Sequence, residues 1–212
     1  MKNILLYRQF YQSVVIKNFM EFSVLKAKFE KKLKEAKEKG LVDEPIVPLL
    51  ELVNSYDDFF STSSCAGRII LIAIHPSWKK NVSKIFFKSH YQVNAEEVWT
   101  ALLDGAQKFK YPLYFKQEPF ILHISASTVQ NALKMLSIAQ VSGIKHSGIV
   151  NISKNRVTLE LQSIERVDAI VANEGKILID LKYLSELVRD ANLKLTITRE
   201  KMQRLFDNLK KL

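Results

Sequence analysis

Apolar residues recur at two periods along the chain, and the switch between them marks out its elements. Val24, Leu25, Phe29, Leu33 and Ala36 fall near helical spacing, which predicts a lysine-rich helix from a Ser23 cap to about Lys39, closed by Gly40. Asp43-Glu44-Pro45 predicts a second start, because proline is tolerated in a first turn and acids favour the positive end of the helix dipole. Leu49, Leu50, Leu52 and Val53 give that short helix its buried side. The unbroken apolar run 69–74 predicts a buried strand, and 84–88 another. Asn94 with Glu97 marks the cap of a helix reaching Lys108.

Residues 112–116 and 120–125 read as paired strands around the turn Gln117-Glu118-Pro119. Ser127 is expected to cap a helix to about Ser142, ended by Gly143. Residues 144–152, 156–162, 167–171 and 176–179 are further strands. Asp180 caps a helical C-terminus that the β-branched cluster Thr196-Ile197-Thr198 is expected to break. Strands follow one another directly instead of alternating with helices, and no repeat or low-complexity linker divides the chain. The expected fold is α+β, a single domain with a mixed β-sheet flanked by helices. No two of the six glycines stand two residues apart, so a G-x-G-x-x-G nucleotide fingerprint is impossible. A nucleotide-like cofactor must be held by other means.

With 212 residues and 47% hydrophobic content, the chain has ample material for a core. Charge changes the picture more: a net +10 favours a polyanionic partner, nucleic acid or an acidic membrane surface. Nucleic acid is preferred, since no apolar segment has the length to span a bilayer. A single cysteine excludes an internal disulfide and a multi-cysteine zinc site and fits a cytoplasmic protein. His75, His90, His123 and His146 lie far apart in sequence, so nothing argues for a metal. Residues 1–20 lack a clean apolar centre and a small-residue cleavage site. They are expected to be a surface extension, with Met20 as an alternative initiator, ahead of a domain at 21–212.

The densest chemistry lies at 57–68: Asp57, Asp58, the hydroxyl run Ser61-Thr62-Ser63-Ser64, then Cys65, Gly67 and Arg68. Taken alone, such a run is a cap or local turn, and Gly67 a turn residue before a strand. The acids at its entrance and the arginine at its exit point further. Arg68 suits a carboxylate or phosphate held by two prongs, and Asp57 or Asp58 suits ribose hydroxyls, an ammonium group or a reacting proton. Cys65 reads as a packed small side chain, since no histidine is near it in sequence. His123 interrupts a buried-strand pattern and is either a satisfied core group or a hydrogen-bonder and base for the same cavity. Lys145-His146-Ser147-Gly148 is either a solvated loop or a small phosphate or substrate contact. Trp78-Lys79-Lys80 and the stretch 84–88 mix cations with aromatics, as an RNA-facing surface does and as a strand between solvated lysines also does. The lysines of the first helix read as a solvated face.

Five stretches together resemble the tRNA wybutosine-synthesising protein 3 family, the methyltransferases of the wyosine pathway. They are Gly40-Leu41-Val42-Asp43-Glu44 with Pro48-Leu49-Leu50, the whole 57–68 loop, Glu118-Pro119-Phe120-Ile121-Leu122-His123-Ile124, Gly143-Ile144-Lys145-His146-Ser147-Gly148-Ile149, and Ala191-Asn192. They occur in family order from about Phe22 to the C-terminus. The resemblance implies a fold outside the Rossmann-type methyltransferases. It implies methyl transfer from S-adenosylmethionine to a ring nitrogen, N-4, of the 4-demethylwyosine-type tricyclic guanosine 3′ to the anticodon of phenylalanine tRNA. On this reading Asp57, Asp58 and His123 are the catalytic candidates, and Ser63, Ser64, Cys65, Gly67, Arg68 and Ser125 hold the cofactor. Lys88, His90, Lys145, Ser147 and Gly148 meet the tRNA anticodon stem-loop, with neither a membrane nor an obligate protein partner implied. Ala66 and Phe59 stand where serine and tyrosine are common in the family, so neither hydroxyl is essential if the activity is intact. The competing readings are a non-catalytic basic RNA-binding module and a basic interaction protein without a nucleic-acid target.

Overall fold

The computed structural model describes residues 2–77 and 82–212, with side chains from Met20 onward. The expected surface extension at 1–20 and the Trp78-Lys79-Lys80 run therefore lie wholly or largely outside the described side chains. In chain order the elements are α1 Lys2–Glu38, a 3-10 turn Glu44–Ile46, α2 Val47–Ser55, β1 Phe59–Cys65, β2 Arg68–Ala73, β3 Lys84–Ser89 and α3 Ala95–Lys108. Then follow β4 Leu113–Glu118, β5 Ile121–Ala126, α4 Val129–Val141, β6 His146–Ser153, β7 Arg156–Gln162, β8 Val167–Asn173, β9 Lys176–Ile177 and α5 Leu181–Leu209. The α+β class holds. The one mixed sheet becomes two: β1-β5-β7-β6, and β3-β2-β4-β8-β9.

The chain divides into two compact units. Residues 1–64, 121–162 and 204–212 form the first, and residues 65–120 and 163–203 the second. In the first, β7 alternates without exception: Val157, Leu159 and Leu161 are buried, while Arg156, Thr158, Glu160 and Gln162 are half-buried on the other face. That alternation fixes the register against β5, pairing His123 with Glu160 and Leu122 with Leu161. Each buried branched side chain contributes about 1.5–3 kcal/mol. Phe29 of α1 stacks on Phe60, with ring centroids 5.1 Å apart.

In the second unit β2 is buried at Ile69, Ile70, Leu71 and Ala73 and pairs antiparallel with β3 and β4. Helix α5 lays Leu184, Val188, Ala191, Leu195 and Met202 along one buried stripe.

Several local expectations are corrected. Ser23 starts no helix, because α1 runs through it and its hydroxyl donates to the Met20 carbonyl of the preceding turn. Thr128, not Ser127, caps α4, accepting from the Asn131 amide. Helix α5 is continuous across 196–198: fully buried Thr198 continues the apolar stripe, and that packing outweighs the β-branched penalty. Strands β4 and β5 are not partners, because Pro119 and Phe120 carry the chain from one sheet to the other. By contrast, Asn94 does accept from the Glu97 amide, and Asp180 from that of Tyr183.

Candidate active site

In the first unit the hydroxyl run lies on β1, held from two sides. Lys26, on the face expected to be merely solvated, donates to the carbonyls of Asn54, Tyr56 and Phe59 at 2.7, 2.6 and 3.0 Å. An ammonium has three protons, and here three carbonyls take them. Asn54 then grips Ser61 twice, its amide nitrogen donating to Ser61 Oγ and its Oδ1 accepting from the Ser61 amide. The start of β1 is pinned to β5 by Asp58, whose Oδ1 accepts from Ser127 Oγ at 2.5 Å while Asn131 donates to the same hydroxyl.

These clamps leave Ser63 exposed, with its Oγ 2.9 Å from His123 Nδ1. The opposite ring nitrogen, Nε2, lies 2.9 Å from Glu160 Oε2. Gly148 of β6 stands opposite Glu160 in register, and a Cβ built on it meets nothing within 4 Å. A row therefore crosses the sheet: hydroxyl, imidazole, carboxylate, open space. Ser125 lies two residues along β5 from His123, fully buried, and its hydroxyl has no hydrogen-bond partner. Ser61, Thr62, Ser63 and Ser64 floor a cavity of about 380 Å³, walled by Phe29, Leu33, Leu41 and Leu50 with Lys32 at its side. That volume falls within the roughly 300–1,000 Å³ of small-molecule sites.

Two expected catalytic acids stand apart from this row. Asp57 is exposed. The Asp58 carbonyl accepts from the Ser127 amide, four residues beyond His123, which is roughly 13 Å at strand rise. Lys145 is exposed, and Ser147 Oγ donates to the Ile144 carbonyl.

In the second unit the remainder of the motif builds a braced turn. Gly67 has φ +84°, and a Cβ there would lie 3.0 Å from the Glu118 carbonyl oxygen and 3.1 Å from the Phe120 nitrogen. Both obstacles are backbone and cannot swing aside. Gly67→Ala is expected to cost about 1–2 kcal/mol from the left-handed backbone alone, read as a lowered urea midpoint; an unchanged midpoint would contradict the clash. Arg199 of α5 donates to the carbonyls of Ala66, Gly67 and His90, and His90 Nδ1 donates to the Gly67 carbonyl at 3.1 Å. Arg68 pairs with Glu118, Nε to Oε2 at 2.6 Å. Cys65 is half-buried and Lys88 exposed. Among the described residues no group of three His, Cys, Asp or Glu is placed to hold a metal ion. No described helix is long and apolar enough to cross a membrane.

The sequence singles out His123 and the hydroxyl run, which meet at Ser63, but not Glu160, Lys26 or Arg199. The sign of Glu160 was its position in β7, opposite a histidine once the two alternating patterns are aligned.

The resolved strand pairs between β5 and β7, β6 and β7, and β2 and β4 all run antiparallel, which excludes a doubly wound parallel sheet. A family model described as Methyltransferase TYW3 matches residues 24–211, which sets the class as a methyltransferase. The chain belongs to that TYW3 family. A relative from Thermococcus sibiricus, named tRNA(Phe) 7-((3-amino-3-carboxypropyl)-4-demethylwyosine(37)-N(4))-methyltransferase, is 37% identical over 194 residues, covering 90% of this chain and 95% of its own. The tRNA wybutosine-synthesizing protein 3 homolog of Danio rerio is 31% identical over 174 residues, 81% of this chain and 68% of its own. The solved structure of the PH1069 protein from Pyrococcus horikoshii matches with a TM-score of 0.84 at 34% identity, over 91% of this chain and 98% of that one. The family resemblance, the methyltransferase class and the fold outside the Rossmann group all hold.

Proposed function

We propose that the protein transfers a methyl group from S-adenosylmethionine to N4 of a 4-demethylwyosine-type guanosine 3′ to the anticodon of phenylalanine tRNA, in the cytoplasm. The observation that carries this reading is the Ser63–His123–Glu160 row beside a cavity floored by hydroxyls. The cavity suits the donor: apolar walls for an adenine, hydroxyls for ribose and Lys32 for a carboxylate; Ser125, outside the cavity lining, keeps its hydroxyl's bonding capacity unspent. Ser63, Ser64 and Ser125 are its proposed ligands in the first unit. In the second unit, the turn formed by Cys65, Gly67 and Arg68 is proposed separately as a contact for an RNA phosphate.

A bound sulfonium supplies an already activated methyl group, so positioning carries much of the rate. The chain's own task is to orient the accepting nitrogen and remove its proton. His123 takes that proton at Nδ1, directly or through Ser63, whose hydroxyl passes on its own as it accepts. Lys145, Ser147 and Gly148 in the first unit, and Lys88 and His90 in the second, meet the tRNA. The net charge of +10 supports a polyanionic partner.

The test is calorimetric binding of S-adenosylmethionine together with labelled methyl transfer to tRNA from a strain blocked at this step. Ser64→Ala is expected to weaken donor binding about tenfold, the worth of one hydrogen bond. A protein that binds tRNA with steep salt dependence yet neither binds the donor nor transfers methyl would instead be an RNA-binding module.

A further inference from the structure

We infer that Glu160 is a positioning residue that fixes the tautomer of His123 and balances its charge when it is protonated; this rests on the proton-accepting role proposed above. An ionised carboxylate only accepts hydrogen bonds. With Glu160 Oε2 2.9 Å from Nε2, the neutral imidazole carries its proton on Nε2. Nδ1 is then the lone-pair nitrogen, and Ser63 Oγ, 2.9 Å away, donates to it. The proton-accepting nitrogen is thereby turned toward the hydroxyl run and the cavity, while the sheet side of the ring stays occupied. His123 and Glu160 are direct partners in the β5–β7 register, so backbone pairing sets the contact instead of a loop.

The role closes the balance of the reaction. As the accepting nitrogen forms its bond to carbon, the S–CH3 electron pair stays with sulfur. The N–H pair returns to nitrogen, and the released proton reaches Nδ1. The imidazolium formed then faces the Glu160 carboxylate across Nε2 at 2.9 Å. Other charged or titratable groups of the first unit include Arg156 on the same face of β7, His146 on β6 opposite Gln162, Lys32 of α1 at the cavity wall, and Asp57, Asp58 and Lys145. Of the described side chains, only Glu160 is shown paired with Nε2.

Long-range ¹H–¹⁵N spectra of histidine-labelled protein read the tautomer directly, without cofactor or RNA. In its neutral form His123 is expected to show a protonated Nε2 and a bare Nδ1. A bare Nε2 or an even mixture in the unaltered protein overturns the inference. In Glu160→Gln the amide oxygen can still accept from Nε2, so the tautomer persists, but the countercharge is gone and kcat drops about tenfold at neutral pH with KM held. Glu160→Leu is expected to leave a mixed tautomer. An unchanged kcat in Glu160→Gln, with the fold intact by circular dichroism, also overturns it. If His123→Asn keeps full methyl transfer, the base assignment falls while the tautomer result still judges Glu160.

Discussion

His123→Asn is expected to slow methyl transfer by about 10²- to 10⁴-fold, the usual worth of a positioned general base. The loss should fall on the chemical step. Asparagine keeps a short polar side chain on β5, but it has no lone-pair nitrogen to take a proton from Ser63 or from the substrate. The cavity walls do not include His123, so S-adenosylmethionine should bind as it does to the unaltered protein. Folding should change little, because the ring is half-buried on the sheet's polar face while Leu122 and Ile124 on either side carry the core. Single-turnover rates on substrate tRNA, set beside donor dissociation constants, separate the two effects. A variant turning over within threefold of the parent, about 0.65 kcal/mol of barrier, would show that His123 is not the base.

Lys201→Met should be the most destabilising single change outside the site, costing about 3–5 kcal/mol of the roughly 5–15 that a domain holds. In the second unit Lys201 donates to Glu165 Oε1, and the two side chains are only 13% and 10% exposed. Burial pushes the Glu165 carboxyl up, yet the hydrogen bond and charge of Lys201 more than offset it and hold the group below the usual carboxylate range. A lowered folded-state value contributes stability at neutral pH, present above the ordinary value and lost as pH falls through the lowered one. Removing the ammonium leaves the buried charge without its cation, and burial, the largest single influence, then acts against only the weaker Ser163 and backbone hydrogen bonds, so the carboxyl rises. The deficit of the variant should therefore shrink on going from pH 7 to about 4.5, where the carboxyl takes up a proton. Urea unfolding at both pH values measures this. The double change Lys201→Met with Glu165→Leu should recover most of the loss, and failure to recover would mean that the pair acts through packing.

What could be read in advance follows from where each signal is stored. The alternation in β7 is local, and its bounds, Arg156–Gln162, come straight from residue types. The Asn94 cap is local too. The helix break expected near Thr198 failed because propensity is a weak local term, and the burial deciding the matter comes from distant strands. The pairing expected of β4 with β5 failed for a similar reason. Neighbours in sequence are the default partners, and nothing at Pro119 states that the chain changes sheets there. His123 and the hydroxyl run stood out by residue type. Glu160 did not, since an acid on the polar side of an alternating strand is ordinary until register sets it against a histidine. Lys26 and Arg199 were hidden for the same reason, being cations among many whose carbonyl partners lie far along the chain.

The changes of sheet at Ala66-Gly67, at Pro119-Phe120 and after Gln162 bear on how the protein is made. Strand β1 finds its neighbour β5 some 60 residues later, and β4 waits about 50 residues for β8. A ribosome adding roughly 5–20 residues each second exposes β1 and β2 for several seconds before their sheets can be completed. Such distant pairings also slow the search itself. The nascent chain should accordingly depend on chaperone binding to the 69–74 run, and slowing translation just after Gln162 should raise the yield of soluble protein.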